Sequence, residues 1–399
     1  MKTIDTMNLT EWHTAFQACT SALSDHIHNL DFIKAALHVI LPIKPKLLPK
    51  EERIFELHAH LHVLILLVNI SPTQALRHGT FIGFHTYSAI TEMQQLIDSI
   101  LQPSDADSGE NYPQLFDDSV AFIRKLMLLE SGERAYFSHV YFRVWQYWLP
   151  SDQHAAAMYA KELELLQVIS DKPKSEESRY PCLVAQAWMN SLLHRDSEAI
   201  SQFDKLNSSL QLRPADLILP LSAISSAAEW ERLLEWLIKA TTWMQGKRLN
   251  SLELFYTYWD QAILHIPSAE QQMWEPLFQL SPSLYEKKLL VHGKWKLWID
   301  FQISMGTDPF QYKVSVFAPI EKNAPELLLP FYHQAVESYV LLKNRGGYKI
   351  AVKLLKRLAK LYKKLKNEPR WEAYIVAFAS RYSRLRALQE ELRKGKLIT

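Results

Sequence analysis

Apolar residues recur every three or four positions along most of this 399-residue chain, and that spacing constrains the fold more than any other feature. It is the spacing of residues that share one face of an α-helix. Glycine is scarce, with 10 residues in all. This scarcity weighs against β-rich and doubly wound folds, which need glycine at turns and phosphate loops. The sequence therefore predicts an all-α protein.

A repeated helical pair is indicated in the middle of the chain. Two sets of apolar residues are related by a constant offset of 34 residues: Ala199, Phe203, Leu206 and Leu233, Leu237, Ala240. This offset is the period of tetratricopeptide repeats, whose stacked hairpins bury a core that one hairpin cannot bury alone. A further shift falls on Pro267, where the period ends. We expect a tetratricopeptide-like helical-repeat solenoid of antiparallel helix pairs.

Changes in composition divide the chain into four predicted segments. Residues 1–102 form an N-terminal helical segment, and residues 103–118, which hold acidic residues, proline and glycine but no basic residue, form an acidic loop or linker. Residues 119–280 form the degenerate repeat pairs. Residues 281–399 form a C-terminal helical region with basic amphipathic helices.

Positive charge is concentrated at the C-terminal end. The chain as a whole has a net charge of +2, but residues 343–399 contain 17 Lys and Arg against 4 Asp and Glu. Such asymmetry marks a surface for an anionic partner.

Residues 351–366 are the most informative stretch of this basic end. At 100° per residue, the apolar side chains fall on one side of a helix and a set of cations on the other. The cations on this stripe are Lys353, Lys356, Arg357, Lys360, Lys363 and Lys364. The following helix adds Arg381, Arg384 and Arg386. Three interpretations stay open: a solvated helix face, a contact surface for nucleic-acid phosphates, and a helix that lies on a membrane surface.

Motifs for catalysis and cofactor binding are missing from the sequence. It contains no glycine-rich phosphate loop, no Gly-x-Ser-x-Gly elbow and no His-Glu-x-x-His pair. Cys19 and Cys182 carry no local signature of an activated thiol. We therefore expect a non-enzymatic protein with no catalytic residues, no metal, no cofactor and no small-molecule substrate. The N-terminus lacks a signal-peptide pattern and no apolar run reaches about 20 residues, so we expect a cytoplasmic protein.

Three histidines lie close together in one predicted helix. His58 and His62, four residues apart, share a face, whereas His60 points away from them. Two imidazoles are an incomplete set for a zinc site, and a third ligand would have to come from His26, His28 or His85. Histidines that are partly buried or at the solvent edge are the simpler interpretation, with a metal or pH-sensing role as the alternative.

The C-terminal third resembles bacterial SWIM zinc-finger family proteins. The resemblance is carried by the segments Gly293–Pro309 (GKWKLWIDFQISMGTDP), Leu328–Arg345, Lys353–Leu365, Trp371–Tyr374 and Arg386–Leu392. It implies a long helical region, which in that family follows a Cys-x-Cys…Cys-x-His zinc module, and an association with Swi2/Snf2-type helicases. This chain has two cysteines and no Cys-x-Cys, so no zinc ligand is carried over.

Two functions follow as expectations. The first is a non-enzymatic helical-repeat scaffold that binds a protein partner, such as a Swi2/Snf2-type helicase, in a DNA-associated assembly. The alternative is a nucleic-acid-binding protein whose basic C-terminal helices contact the phosphate backbone without reading sequence.

Overall fold

A computed structural model describes residues 8–26, 31–68, 81–102, 114–130, 135–149, 153–171, 179–209 and 212–398. Across these ranges the regular structure is helical and no β-strand occurs, which confirms the all-α prediction. The chain divides into two compact units, residues 1–272 and 273–399. Within the same ranges, no helix has both the length and the apolar content that crossing a membrane requires.

Twelve helices of the described chain lie wholly in the first unit: α1 Leu9–Thr20, α2 Phe32–Ile40, α3 Pro49–Val68, α4 Phe81–Leu101, α5 Gln114–Met127, α6 Tyr136–Tyr147, α7 Gln153–Asp171, α8 Arg179–Leu192, α9 Asp196–Ser209, α10 Pro214–Ser226, α11 Trp230–Trp243 and α12 Leu249–His265. Helix α13, Glu270–Leu280, spans the boundary between the units. The second unit continues with α14 Pro282–Val291, α15 Trp295–Ser304, α16 Val314–Asn323, α17 Leu328–Leu341, α18 Arg345–Lys364, α19 Glu368–Arg381 and α20 Arg386–Lys394.

Helix α3 is the centre of the N-terminal helices. Every residue from Leu57 to Leu64 is buried, because α1, α2, α4 and α5 pack around this helix. A helix that is apolar on most sides belongs in a core, and the histidines of α3 are buried with it.

Helices α8 to α11 are joined by polar contacts as well as by apolar packing. The Gln186 amide of α8 donates to the Leu166 carbonyl of α7 at 3.0 Å. Arg232 of α11 binds both carboxylate oxygens of Asp196 at the start of α9, at 2.7 and 2.8 Å. The same guanidinium donates to the Ser191 carbonyl at the end of α8. One side chain therefore fastens three helices together.

Large aromatic rings fill the spaces between helices. Eight of the 12 tryptophans are buried and the other four are half-buried. In the second unit, the Trp298 ring makes edge contacts with Phe317 and Phe331, with ring centroids 6.1 and 6.3 Å apart. These rings belong to the hydrophobic core against which α17 and α18 pack.

Helices α17 and α18 approach each other closely at Gly347. A Cβ atom at this position would lie 2.6 Å from the backbone oxygen of Tyr339, so only glycine fits. The Asn344 side chain caps α18 by accepting from the Gly347 N–H at 2.7 Å. The start of α18 is thus fixed by its cap and by the neighbouring helix.

Two helix boundaries differ from the sequence prediction. Residues 103–113 of the predicted acidic loop lie outside the described residues, but α5 begins at Gln114, so the prediction is wrong for residues 114–118. Phe116 is buried there, and Asp117 lies in the first turn, where a negative charge favours a helix. The residues Asn367 to Pro369 predict a break before a helix that begins at Trp371. Helix α19 instead begins at Glu368, because Pro369 is tolerated in a first turn.

Candidate nucleic-acid interface

The apolar side of α18 fixes the orientation of the whole helix. Its buried side chains follow the predicted stripe and include Ala351, Leu354, Leu355, Leu358, Leu361 and Tyr362. They pack against α17, α19 and α20. Because one side of the helix packs against three neighbouring helices, the rotation of α18 about its axis is fixed and the opposite side faces solvent.

Four lysines lie on this solvent-facing side, and we call them the lysine row: Lys353, Lys356, Lys360 and Lys363. All four are exposed, and none makes an ion pair with another described residue. At 100° per residue they fall within about 80° of one another, and at 1.5 Å per residue they span about 15 Å. Successive members are three or four residues apart, so their Cβ atoms lie about 5–6 Å from one another.

Two further cations of the predicted stripe are engaged with neighbouring elements. The guanidinium of Arg357 lies over the Phe310 ring, 4.7 Å from its centroid, and 6.0 Å from that of Tyr332. The ammonium of Lys364 donates to the Glu321 carbonyl near the end of α16. These two side chains secure α18 to the unit and are less available to an outside ligand than the lysine row is.

The N-terminal end of α18 carries two cations that the sequence analysis missed. Arg345 bonds to Glu391 at 2.9 Å and to Glu390 at 3.1 Å, both on α20. Lys349 is exposed on the same side of the helix. The pKa of Glu391 lies below its usual value, first because Arg345 donates to it and further because Lys394 and Lys349 are near. Extending the 100° projection back to residue 345 would have found both cations.

The acidic pair Glu390 and Glu391 therefore offsets positive charge at one end of α18 only. The chain turns at Gly395, where a Cβ atom would lie 2.7 Å from a methyl carbon of Val352. This contact places the end of α20 directly beside α18. The lysine row begins at Lys353, just beyond these carboxylates, and continues toward the C-terminus of the helix.

The three predicted arginines beyond α18, namely Arg381, Arg384 and Arg386, lie on other elements than the lysine row. Arg381 pairs with Glu337 of α17 at 3.3 Å. Arg384 lies in the turn after α19, and Arg386 is the first residue of α20. Both are exposed, and no ion pair with another described residue involves them.

The lysine row has an electrostatic cost without a ligand. Each neighbouring pair of like charges three or four residues apart destabilises a helix by roughly 0.2–0.5 kcal/mol. Three such pairs join members of the lysine row: Lys353 with Lys356, Lys356 with Lys360, and Lys360 with Lys363. An anion bound along the row would remove this repulsion, and its binding would weaken as salt screens the charges.

The histidines of α3 form a buried cluster with His13 of α1. The Ser119 hydroxyl donates to the Leu115 carbonyl at 2.7 Å, so it accepts from Nε2 of His58 at 2.9 Å. The unprotonated Nδ1 of His58 then accepts from Nε2 of His13 at 3.0 Å. This chain of hydrogen bonds requires a neutral imidazole at His58, because its Nδ1 must be unprotonated to accept.

His62 is held in the same way on the next turn of α3. The Thr20 hydroxyl donates to the Phe16 carbonyl and accepts from Nε2 of His62 at 3.1 Å. Burial lowers the pKa of His62 to about 4. The pKa of His13 is also lowered to about 4, mainly by burial and further by the neighbouring His62 imidazole. Burial also holds the pKa of His58 well below its usual value.

The histidine cluster does not assemble a metal site from the described side chains. In the described ranges, no group of three or more His, Cys, Asp or Glu has a geometry that could hold a metal ion. His60 points away from His58 and His62 and bonds to the Glu56 carbonyl at 2.7 Å. The predicted third ligands, His26, His28 and His85, have side chains outside the described residues.

The hydroxyl of Ser119 and the thiol of Cys182 are engaged in packing. Ser119 is fully buried, and its proton is directed to the Leu115 carbonyl. Cys182 is buried and donates to the Leu166 carbonyl at 3.2 Å, and burial raises its pKa to about 11. Both groups stay protonated at neutral pH and hold helices together.

The chain is similar to the uncharacterized protein YwqB of Bacillus subtilis (strain 168). The two are 26% identical over 419 aligned residues, which cover 96% of this chain and 71% of that protein. No protein-family model matches the chain, and no solved structure matches it. The likeness to YwqB includes both compact units.

Proposed function

We propose that this chain is a non-enzymatic helical-repeat scaffold that contacts nucleic-acid phosphates through the lysine row of α18 and holds a protein partner on its repeat helices. The observation that carries the proposal is a row of four exposed lysines without ion-pair partners on a helix whose orientation is fixed. Rows of cations that neutralise phosphates are the common basis of nucleic-acid affinity that does not depend on sequence.

The repeat character is supported by the positions of helices in the first unit. Helices α9 and α11 both have 14 residues and begin 34 residues apart, at Asp196 and Trp230. The two apolar triplets related by that offset are all buried. The period ends where Pro267 starts a short 3₁₀ helix. A tetratricopeptide-like solenoid accounts for this regularity, and such stacks offer extended surfaces to proteins.

The protein partner is proposed from the resemblance to SWIM zinc-finger family proteins. That resemblance implies a Swi2/Snf2-type helicase, which acts on nucleic acid. A scaffold that holds such a partner and also touches phosphates would keep the partner on its substrate. Affinity purification with and without nuclease tests this part: a partner that stays bound after nuclease treatment supports it, and one that is lost was bridged by nucleic acid.

The phosphate contact is tested with two matched triple variants. The first, Lys356→Glu, Lys360→Glu, Lys363→Glu, reverses three members of the lysine row. The control, Lys205→Glu, Lys239→Glu, Lys296→Glu, reverses three exposed lysines on α9, α11 and α15.

Binding to a fluorescent DNA fragment is measured by anisotropy in low salt. We expect the first variant to lose at least about tenfold in affinity and the control to stay within about twofold of the parent chain. Equal losses in the two variants would mean that net charge alone is responsible, and no loss in the first would contradict the proposal. Circular dichroism confirms that both variants are folded.

A further inference from the structure

The side chains around the lysine row also indicate which form of nucleic acid it fits. Resting on the proposed function, we infer that the ligand of the lysine row is the backbone of a double helix, contacted independently of base sequence. The inference follows from three features of α18: its exposed side chains are mostly lysines, its tyrosines are buried, and carboxylates of α20 offset its positive charge at one end only.

No aromatic side chain of α18 is available to stack on an unpaired base. Its two tyrosines, Tyr348 and Tyr362, are each 4% exposed. The exposed ring of Phe310 has the guanidinium of Arg357 over one face. Proteins that bind single strands combine positive charge with aromatic platforms on which bases stack. The lysine row has the charge without the platforms.

The exposed face of α18 also lacks the amide, hydroxyl and free guanidinium groups that read base edges. Between Arg345 and Lys364 the helix contains no Asn, Gln, Ser or Thr. Its two arginines are occupied, Arg345 by Glu390 and Glu391 and Arg357 by Phe310. Arginine, asparagine and glutamine make bidentate contacts to base edges in the major groove. Lysine can also contact guanine, but its ammonium group is a flexible point charge that binds phosphates without regard to sequence.

Charge density favours a duplex over a single strand. A duplex carries one negative charge per about 1.7 Å of its axis, twice the density of either strand. The lysine row places four cations along about 15 Å of one rigid helix. A duplex is stiff on this scale and meets the row without being ordered first, whereas a flexible single strand loses conformational freedom on binding.

The footprint on α18 is limited by the carboxylates of α20. Glu390 and Glu391 neutralise the helix near Arg345 and would repel phosphates there. The phosphate path therefore runs over the C-terminal half of α18, from Lys353 to Lys363. Lys394 and Lys396, beside α18 at the turn around Gly395, lie at the edge of this path.

The test is a competition experiment with the full chain and a fluorescent DNA duplex of about 25 base pairs in about 100 mM salt. Unlabelled competitors are the same duplex, a duplex of unrelated sequence, a duplex of RNA, one single strand of the DNA, and polyglutamate at equal charge. We expect either DNA duplex to compete at least about tenfold better than the single strand, and the two sequences to differ by less than about twofold. An RNA duplex that also outcompetes the single strand supports the inference.

A single strand that competes as well as the duplex would overturn the inference while the proposed function stands, provided that the triple lysine variant still loses binding. Polyglutamate that competes as well as the duplex would also overturn it and would favour an acidic protein as the ligand. If neither the duplex nor the single strand binds, or if the duplex binds the triple variant as tightly as the parent chain, the proposed function fails as well. The control triple variant separates loss of the row from a change in net charge.

Discussion

The guanidinium of Arg357 lies 4.7 Å from the centroid of the Phe310 ring, so the only arginine in the middle of the basic stripe is held by the protein itself. Its neighbours on the same stripe, Lys356 and Lys360, are exposed. The stripe thus contains two kinds of cation: some stabilise the second unit, and others are left for an anionic ligand. Single substitutions should separate the two roles.

Arg357→Gln should lower the stability of the second unit and leave nucleic-acid binding nearly unchanged. The variant loses a cation–π contact, which contributes about 0.5–1 kcal/mol at a partly exposed site. Lys356→Gln is the matched comparison, because it removes the same charge from the next residue. We expect Lys356→Gln to weaken DNA binding by about two- to threefold and, because it removes two like-charge pairs, to cause no loss of stability. Thermal unfolding measures the stability of both variants, and anisotropy measures their DNA binding. Equal losses of DNA binding in the two variants would contradict the assignment of a stabilising role to Arg357 and a binding role to Lys356.

Lys356→Glu should stabilise the folded chain while it weakens DNA binding. Lys356 has Lys353 and Lys360 as its like-charged neighbours, three residues before it and four after it. Reversal changes two repulsive pairs into two attractive pairs, which is expected to raise the free energy of unfolding by about 1 kcal/mol in low salt. The gain should vanish near 1 M salt, where charges on the surface are screened. Urea unfolding at both salt concentrations measures the free energy of unfolding. If that free energy does not rise in low salt, the lysines of the row do not repel one another measurably.

Glu390→Gln should strengthen DNA binding. Glu390 is exposed and offsets Arg345 at the edge of the lysine row. Without this carboxylate, Arg345 is offset by Glu391 alone, so phosphates are repelled less near Lys349, and we expect a gain of about twofold in affinity. Glu372→Gln on α19 removes the same charge from another exposed position and serves as the control. A gain of equal size in the control would show that only net charge matters.

The buried histidine cluster should make the first unit sensitive to mild acid. His13 and His62 have pKa values of about 4 in the folded chain, against about 6.5 when unfolded. Below pH 6.5 the unfolded chain therefore binds more protons than the folded one, so the free energy of unfolding falls as pH falls from 6.5 toward 4. Each such histidine can contribute a slope of up to about 1.4 kcal/mol per pH unit.

The check is the free energy of unfolding measured between pH 7.5 and pH 5 by a probe of the first unit. The double variant His13→Gln, His62→Gln should show a shallower slope than the parent chain, whatever its absolute stability. His38→Gln, which replaces an exposed histidine of α2, should leave the slope as it is. An unchanged slope in the double variant would mean that these imidazoles are not held neutral.

The periodic features of the fold could be predicted from the sequence because they depend on local spacing. The apolar stripe of α18 and the exposure of Lys353, Lys356, Lys360 and Lys363 follow from 100° per residue alone. Helix ends were less predictable. Helix α5 extends over residues predicted as loop because the burial of Phe116 favours helix over the local acidic composition.

Contacts between distant residues could not be predicted, since no local pattern encodes them. Arg345 meets Glu391, 46 residues further along the chain, and His13 meets His58, 45 residues away. The sequence does contain a partial signal for His13, because it directly follows Trp12 and lies three residues before Phe16, and both of these rings are buried. It contains none for the stacking of Arg357 on Phe310, which depends on how the segment before α16 folds against α18.

The salt dependence of duplex binding tests most directly whether the lysine row neutralises phosphates. The quantity is the slope of the logarithm of the binding constant against the logarithm of salt concentration, compared between the parent chain and the variant Lys353→Gln, Lys356→Gln, Lys360→Gln, Lys363→Gln. Each neutralised phosphate contributes about −0.9 to this slope on B-form DNA. We expect the variant slope to be shallower by about three to four. Equal slopes in the two proteins would contradict a role of the lysine row in binding nucleic acid.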